Sequence, residues 1–152
     1  MTAHRPPEQA ENQQPLIIDV LTLFPGIVEG PLGESMMKRA EAAGLARFRT
    51  VDVREFGLGK HRQTDDTPTG GGPGMVMKPE PLFAAVESVR TPESRVLLMT
   101  PGGRPFRQDT AWRLSKERHL IIICGHYEGV DHRVVEALVD EEISIGDYVL
   151  TN

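Results

Sequence analysis

Short, almost unbroken apolar runs limit what this chain can become. Residues 16–23 read Leu-Ile-Ile-Asp-Val-Leu-Thr-Leu, residues 96–99 Val-Leu-Leu-Met and residues 120–124 Leu-Ile-Ile-Ile-Cys. Runs of this length, the first and last rich in β-branched residues, suit core strands, and residues 16–23 suit a strand buried on both faces. Residues 48–53 alternate apolar and polar side chains as another strand, and residues 142–145 open a fifth. Helical spacing fills the intervals. Pro25 suits the first turn of a helix, Leu32, Met36 and Ala40 recur along one face, and Gly44 suits its C-terminal stop. Leu82, Val86 and Val89 share a face after Pro79 and Pro81, residues 109–118 read as a short helix, and Val130, Val134 and Leu138 share another face. This β-α-β-α order predicts an α/β fold, a mostly parallel sheet flanked by helices on both faces.

One domain is expected over residues 16–152, preceded by a disordered tail over residues 1–15, which are rich in Pro, Gln and Glu. No apolar run approaches the roughly 18 residues that suggest a membrane span. The N-terminus does not read as a secretory signal. The one cysteine, Cys124, forms no internal disulfide, which fits a reducing, cytoplasmic setting. A net charge of -5 argues against a general nucleic-acid coat protein but leaves room for an RNA enzyme with a local basic patch.

In a parallel sheet, ligands bind in loops beyond the C-terminal ends of the strands. Three unusual loops are expected there: Thr100-Pro101-Gly102-Gly103, Gly125-His126-Tyr127-Glu128-Gly129 and Gly146-Asp147-Tyr148. A fourth segment, residues 57–74, has no periodicity and ends in Gly70-Gly71-Gly72-Pro73-Gly74. Glycines allow positive φ and close approach of a ligand to backbone, although a plain surface loop has the same composition. The P-loop pattern fails because Lys78 is followed by Pro79, and the dinucleotide fingerprint from Gly70 ends on Met75. A nucleotide-phosphate enzyme is therefore disfavoured. Lys60-His61-Arg62-Gln63-Thr64-Asp65-Asp66 offers cations for RNA phosphates and carboxylates for a guanine edge, or simply a solvated charge cluster. The Gly125–Asp131 stretch is expected to open a helix, where backbone N–H groups can meet an electronegative ligand atom. Asp131 there reads as a complement to the helix dipole. His126 and His132 match no zinc spacing, so no metal site is expected. Cys124 reads as a buried small hydrophobe and Trp112 as packing.

Taken together, these motifs resemble the bacterial tRNA (guanine-N1)-methyltransferases of the trefoil-knot class. The matching stretches are Leu23-Phe24-Pro25, Asp65-Asp66 followed by Pro68 and Gly70-Gly71-Gly72-Pro73-Gly74-Met75, then Cys124 through Asp131, then Ser144-Ile145-Gly146-Asp147-Tyr148-Val149-Leu150. The resemblance implies methyl transfer from S-adenosyl-L-methionine to N1 of guanosine 37 in tRNA, on the 3′ side of the anticodon. It also implies a knotted fold and a homodimer with its site at the subunit interface, and it allows Mg2+. By matched position, Met99, Pro101, Gly125, Tyr127 and Glu128 fall on the first two cofactor loops, and Ile145, Gly146, Asp147, Tyr148, Val149 and Leu150 on the third. Glu128 would lie near the reacting end as an auxiliary catalytic group. Asp65 matches a carboxylate that reads the neighbouring guanine, Gly74 a position beside the target base, and Lys60 and Arg62 are candidate phosphate contacts.

The same resemblance places the catalytic aspartate and its partner arginine after the segment matching Tyr148, beyond Asn152, together with a C-terminal tRNA-binding domain. The chain is thus expected to be the cofactor-binding portion of such an enzyme, or an inactive fragment that binds cofactor or RNA without turnover. It departs from the family pattern in Thr69, where many members carry Tyr, and in Asn152, where a glycine usually continues the third loop.

Overall fold

The continuous apolar runs become the middle of a parallel sheet. The computed structural model describes residues 14–149 except Thr69, Pro73 and Tyr127. Almost all of the expected tail, and the calls on Tyr127, Leu150, Thr69 and Asn152, lie outside the described residues. The sheet contains β1 (Leu16–Thr22), β2 (Ala46–Asp52), β5 (Ser94–Pro105), β6 (His119–Cys124) and β7 (Glu141–Ser144) in the order β2-β1-β6-β5-β7. Every pairing in it is parallel. All five strands therefore end at one rim, followed by Leu23, Val53, Gly125 and Ile145 and, within β5 itself, by the irregular stretch after Met99.

Two apolar layers lie on the two faces of this sheet. Leu21, Val96, Leu98, Ile121 and Ile123 pack with Leu82, Ala85 and Val86 of α3 (Pro79–Val89) and with Val134 and Leu138 of α5 (His132–Leu138). On the opposite face Leu97, Leu120 and Ile143 pack with Leu114 of α4 (Gln108–Leu114) and with half-buried Leu16, Ile18 and Ile122. The helices α1 (Pro25–Leu32) and α2 (Ser35–Ala42) lie along β2 and bury none of their own residues completely.

The helical spacing of Leu32, Met36 and Ala40 does not form one helix. It is split at Gly33 and Glu34, and Ser35 has φ +50. Gly33 caps α1, its N–H bonding Gly30 O at 3.1 Å, so the first helix closes before Ser35 begins the second. Gly44 does terminate α2. Its N–H bonds Glu41 O at 3.0 Å and that of Leu45 bonds Ala40 O at 2.9 Å, the paired bonds of a Schellman cap, with Gly44 at φ +70. The second strand starts earlier than its alternation suggests, and Val53 begins a 3-10 turn, Val53–Phe56, instead of ending the strand. The helix expected over residues 109–118 stops at Leu114, and Trp112 on it is 64% exposed, so it is not a packing residue within this chain.

One charge lies inside the sheet. Asp19, in the middle of β1, is completely buried. Arg49 of β2 binds it through both carboxylate oxygens, at 2.8 and 2.6 Å. His119 Nε2 of β6 meets Asp19 Oδ2 at 2.5 Å, and His119 Nδ1 meets Ser94 Oγ of β5 at 2.6 Å. The cluster thus joins four neighbouring strands near the rim opposite the candidate loops. Removing one partner of a buried pair leaves the others uncompensated, which costs about 3–5 kcal/mol. Asp19→Ala is expected to lower the unfolding free energy by about that amount in urea titration. Arg49→Ala should cost less, because the Arg49 side chain is 45% exposed and solvent can replace its interactions.

Candidate functional site

The long aperiodic segment after β2 is organised by a small ladder. Strand β3 (Asp65–Asp66) pairs antiparallel with β4 (Val76–Met77), placing Asp65 opposite Met77. On its other side Met77 bridges Val130 in parallel sense. The Met77 N–H donates to Gly129 O at 2.9 Å, the Asp131 N–H to Met77 O at 3.1 Å, and the Glu128 N–H to Met75 O at 2.9 Å. Met77 itself is fully buried under this ladder. Met75 and Met77, which follow the glycine run, are therefore clasped by main-chain bonds to the loop that follows β6.

Asp65, Gly74 and Glu128 all border this clasp: Gly74 lies against Glu128, and Asp65 stands opposite Met77. Gly74 has φ +85, and the Glu128 side chain occupies the space where a Cβ on Gly74 would stand. Glycine is required twice over, by backbone conformation and by contact. The Glu128 side chain is exposed. Asp65 is half-buried, and among the described residues its carboxylate takes no hydrogen bond. Lys60 and Arg62 project into solvent from a tight turn closed by reciprocal bonds between Leu58 and Gln63, both 2.9 Å. They do not contact the Asp65–Gly74–Glu128 group; the turn displays them beside it in sequence.

The stretch from Gly125 does not itself open the helix. Asp131 is the N-cap of α5, its carboxylate accepting from the Arg133 N–H at 2.9 Å. The hydrogen bond from the Arg133 side chain, aided by its charge, holds Asp131 below the usual carboxylate range against the opposing effect of burial. The Glu128 and Gly129 N–H groups are spent on Met75 O and His126 O, so they are not the free anion-binding donors expected of a helix start. Gly125 is exposed at the rim, and among the described residues a Cβ there would meet Val130 alone, at 3.4 Å. Burial pushes the Cys124 thiol upward, as befits a packing residue rather than a nucleophile.

Met99 and Pro101 do not flank a simple loop. Strand β5 runs through Thr100–Gly103 to Pro105, and both Met99 and Arg104 register with Ile143 of β7. The intervening residues bulge out of the ladder, Pro101 exposed and Met99 half-buried. The third loop is a tight turn pinned by buried Ser144, whose Oγ donates to Gly146 O at 2.8 Å and accepts from the Gly146 N–H at 3.1 Å. The Tyr148 ring lies against Gly146, and Ile145, Tyr148 and Val149 are all more than half exposed. Asp147, between Gly146 and Tyr148, is exposed as well. Sequence reasoning missed Ser144 as an anchor and missed the buried Asp19 cluster. An Asp within an apolar run was the available signal for the latter, since a buried charge demands a partner.

A cleft of about 510 Å³ opens elsewhere, over Arg95, Arg104, Arg113 and Glu141. Burial works most strongly against the Glu141 charge, but the hydrogen bonds and charges of Arg113 and Arg95 together outweigh it and hold the carboxyl below its ordinary value. Arg95 and Arg113 both pair with Glu141, while the buried Arg95 Nε has no partner among the described residues. Gly102 and Gly103 of the first expected loop line this cleft, but none of the residues assigned individually to cofactor or RNA does. Among the described residues no three His, Cys, Asp or Glu side chains gather as a metal site: His132 pairs with Glu136 at 3.2 Å while His126 packs on Phe24.

A family model described as tRNA (Guanine-1)-methyltransferase TrmD matches residues 16–152. The chain belongs to this family. It is 51% identical over 137 residues to the tRNA (guanine-N(1)-)-methyltransferase of Protochlamydia amoebophila, covering 90% of this chain and 62% of that protein. It is 53% identical over 135 residues to the enzyme of that name from Staphylococcus epidermidis strain RP62A, covering 88% and 55%. With the Geobacillus kaustophilus enzyme of that name the identity is 52% over 136 residues, covering 88% and 56%. The chain thus spans little more than half the length of these TrmD relatives. No helix among its described residues is long and apolar enough to cross a membrane.

Gly70 and Gly74 provide an internal comparison, because both have φ close to +90 but only Gly74 is crowded. Gly70→Ala should cost the left-handed backbone penalty of about 1–2 kcal/mol. Gly74→Ala should cost clearly more in the same unfolding titration, because it must also expel the Glu128 side chain. Equal losses would show that Glu128 is not held against Gly74.

Proposed function

We propose that this chain forms the cofactor side of an enzyme that methylates N1 of the tRNA guanosine immediately 3′ of the anticodon, with S-adenosyl-L-methionine as methyl donor. The observation that supports the reading is twofold: the expected base-side residue Gly74 lies against the expected cofactor-side residue Glu128, and the ladder through Met77 pairs Asp65 with Met77 and Met77 with Val130, two residues after Glu128. The loops after β6 and β7 and the bulge of β5 share one rim with it.

The residues fit such a cofactor by chemistry and by space. Exposed Gly125, the bulge at Pro101 and the turn over Ile145, Gly146, Asp147, Tyr148 and Val149 offer main-chain groups and an aromatic face to an adenosine, with Met99 beneath. Tyr127 and Leu150 belong to the same proposal by matched position. The cofactor supplies a methyl group on a sulfonium, whose transfer needs in-line positioning more than activation. The protein's share is to hold guanine N1 on that line and to take up the N1 proton as the new N–C bond forms. Asp65 is assigned to the edge of the neighbouring guanine, Gly74 to the face of the target base, Glu128 to an auxiliary place beside it, and Lys60 and Arg62 to backbone phosphates. The principal base and its arginine are assigned to a segment following the third loop.

A homodimer and the trefoil knot belong to the same proposal. The exposed Ile145, Tyr148 and Val149 favour a second copy over the third loop, and the return of β7 beside β5 is compatible with a later segment passing through an earlier loop.

Calorimetric titration of the full-length protein with S-adenosyl-L-methionine tests the cofactor assignment; absence of binding heat would overturn it. Tyr148→Ala should weaken that binding about tenfold by removing one aromatic face. Gly125→Val should weaken it at least as much while still folding, because the added side chain meets little protein. Asp65→Ala should leave cofactor affinity unchanged and lower tRNA methylation by about one to two orders of magnitude, the effect of losing a charged hydrogen bond to the base. A parallel loss of both activities would contradict the division of roles.

A further inference from the structure

We propose that Arg54 is a phosphate-binding residue on the tRNA side of this rim, held ready by Phe24 and the Leu23 carbonyl. The proposal rests on the function assigned above and adds a residue that the motif resemblance did not single out. Strands β1 and β6 are neighbours at the middle of the sheet, yet the chain leaves β1 towards β2 and leaves β6 in the opposite direction towards β7. Such a reversal opens a crevice at the C-terminal ends of the two strands, the usual ligand position in parallel sheets. Phe24 and His126 stand on its two sides and meet there, ring centroids 4.8 Å apart and planes inclined at 60°.

Arg54 lies on Phe24. Its guanidinium carbon is 5.1 Å from the ring centroid, and its Nε donates to Leu23 O at 3.1 Å. Its own N–H is tied to the Asp52 carboxylate at 2.9 Å, which fixes the turn that carries it. A guanidinium has five N–H donors in a rigid fork, and only the Nε donor is used here. Among the described residues no carboxylate pairs with this side chain and its terminal nitrogens have no partner, although the chain carries a net charge of -5. A half-buried cation, oriented by an aromatic face and left with its fork open, suits bidentate recognition of an oxyanion. Position selects the RNA phosphate over the cofactor carboxylate. The proposed cofactor loops follow β5, β6 and β7, whereas Arg54 follows β2 and begins the same excursion that carries Lys60, Arg62 and Asp65.

The test uses the full-length protein, a tRNA transcript with guanosine 3′ of the anticodon, and S-adenosylhomocysteine. Arg54→Ala is expected to weaken tRNA binding about tenfold near physiological salt and to reduce the salt slope of log Kd by about 1, with S-adenosylhomocysteine affinity unchanged. Arg54→Lys should restore the salt slope, because it restores the charge. Arg54→Met keeps the buried stem and carries the same measurement if the alanine variant fails to fold. A folded variant with wild-type tRNA affinity and salt slope overturns the proposal, and so does a loss confined to S-adenosylhomocysteine. Wild-type protein that ignores tRNA would instead sink the parent reading, so the two failures are separable.

Discussion

The buried Asp19 carboxylate sets the frame on which the rest of this structure hangs. Strands β1 and β6 are apolar on both faces, so sliding either by one residue would exchange one apolar row for another at little hydrophobic cost. Burial alone leaves their register weakly specified. A charge without solvent is different, because it is tolerable only where its partners stand. Arg49, His119 and Ser94 come from edge strand β2 and from β6 and β5, and together with Asp19 they admit a single alignment of β2, β1, β6 and β5. The cluster is a buried pair of the kind that contributes specificity more than net stability.

Register at one end of a parallel sheet determines height at the other. With the strands aligned, the segments after β1, β2 and β6 emerge at one level, and Phe24, Arg54 and His126 meet there. The ladder through Met77 then ties the long excursion after β2 to the loop after β6. The rim acquires two halves, one assembled from β5, β6 and β7 and the other from β1, β2 and their excursion. Methyl transfer between a cofactor and a base needs such halves at fixed separation, since its barrier is governed largely by alignment.

Much of this was legible in the chain. The apolar runs marked the strands, Gly44 marked the end of α2 through its left-handed backbone, and the ordered glycine and aromatic motifs pointed to the family that the TrmD match establishes. Errors came where local pattern competed with something non-local. The helical period of Leu32, Met36 and Ala40 runs through Gly33 and Glu34, where the chain leaves the helix and re-enters it at Ser35 with left-handed backbone. Thr100–Gly103 reads as a loop by composition, yet β7 lies near enough to register with Arg104 and draw the stretch into the strand. Trp112 reads as packing by residue type, but on α4 it is 64% exposed.

Periodicity and turn chemistry are properties of neighbouring residues, so the sequence by itself determined the element types, their order and the family. Which residues share a site is a property of strand pairing, and pairing was decided only in three dimensions. Nothing in the spacing of Asp65, Met77 and Val130 announces that they lie side by side, and nothing in Asp19, Arg49, Ser94 and His119 announces one buried cluster. Contacts between residues far apart in the chain depend on the register of a sheet, and register is a cooperative outcome of buried polar pairing and packing that no local window contains.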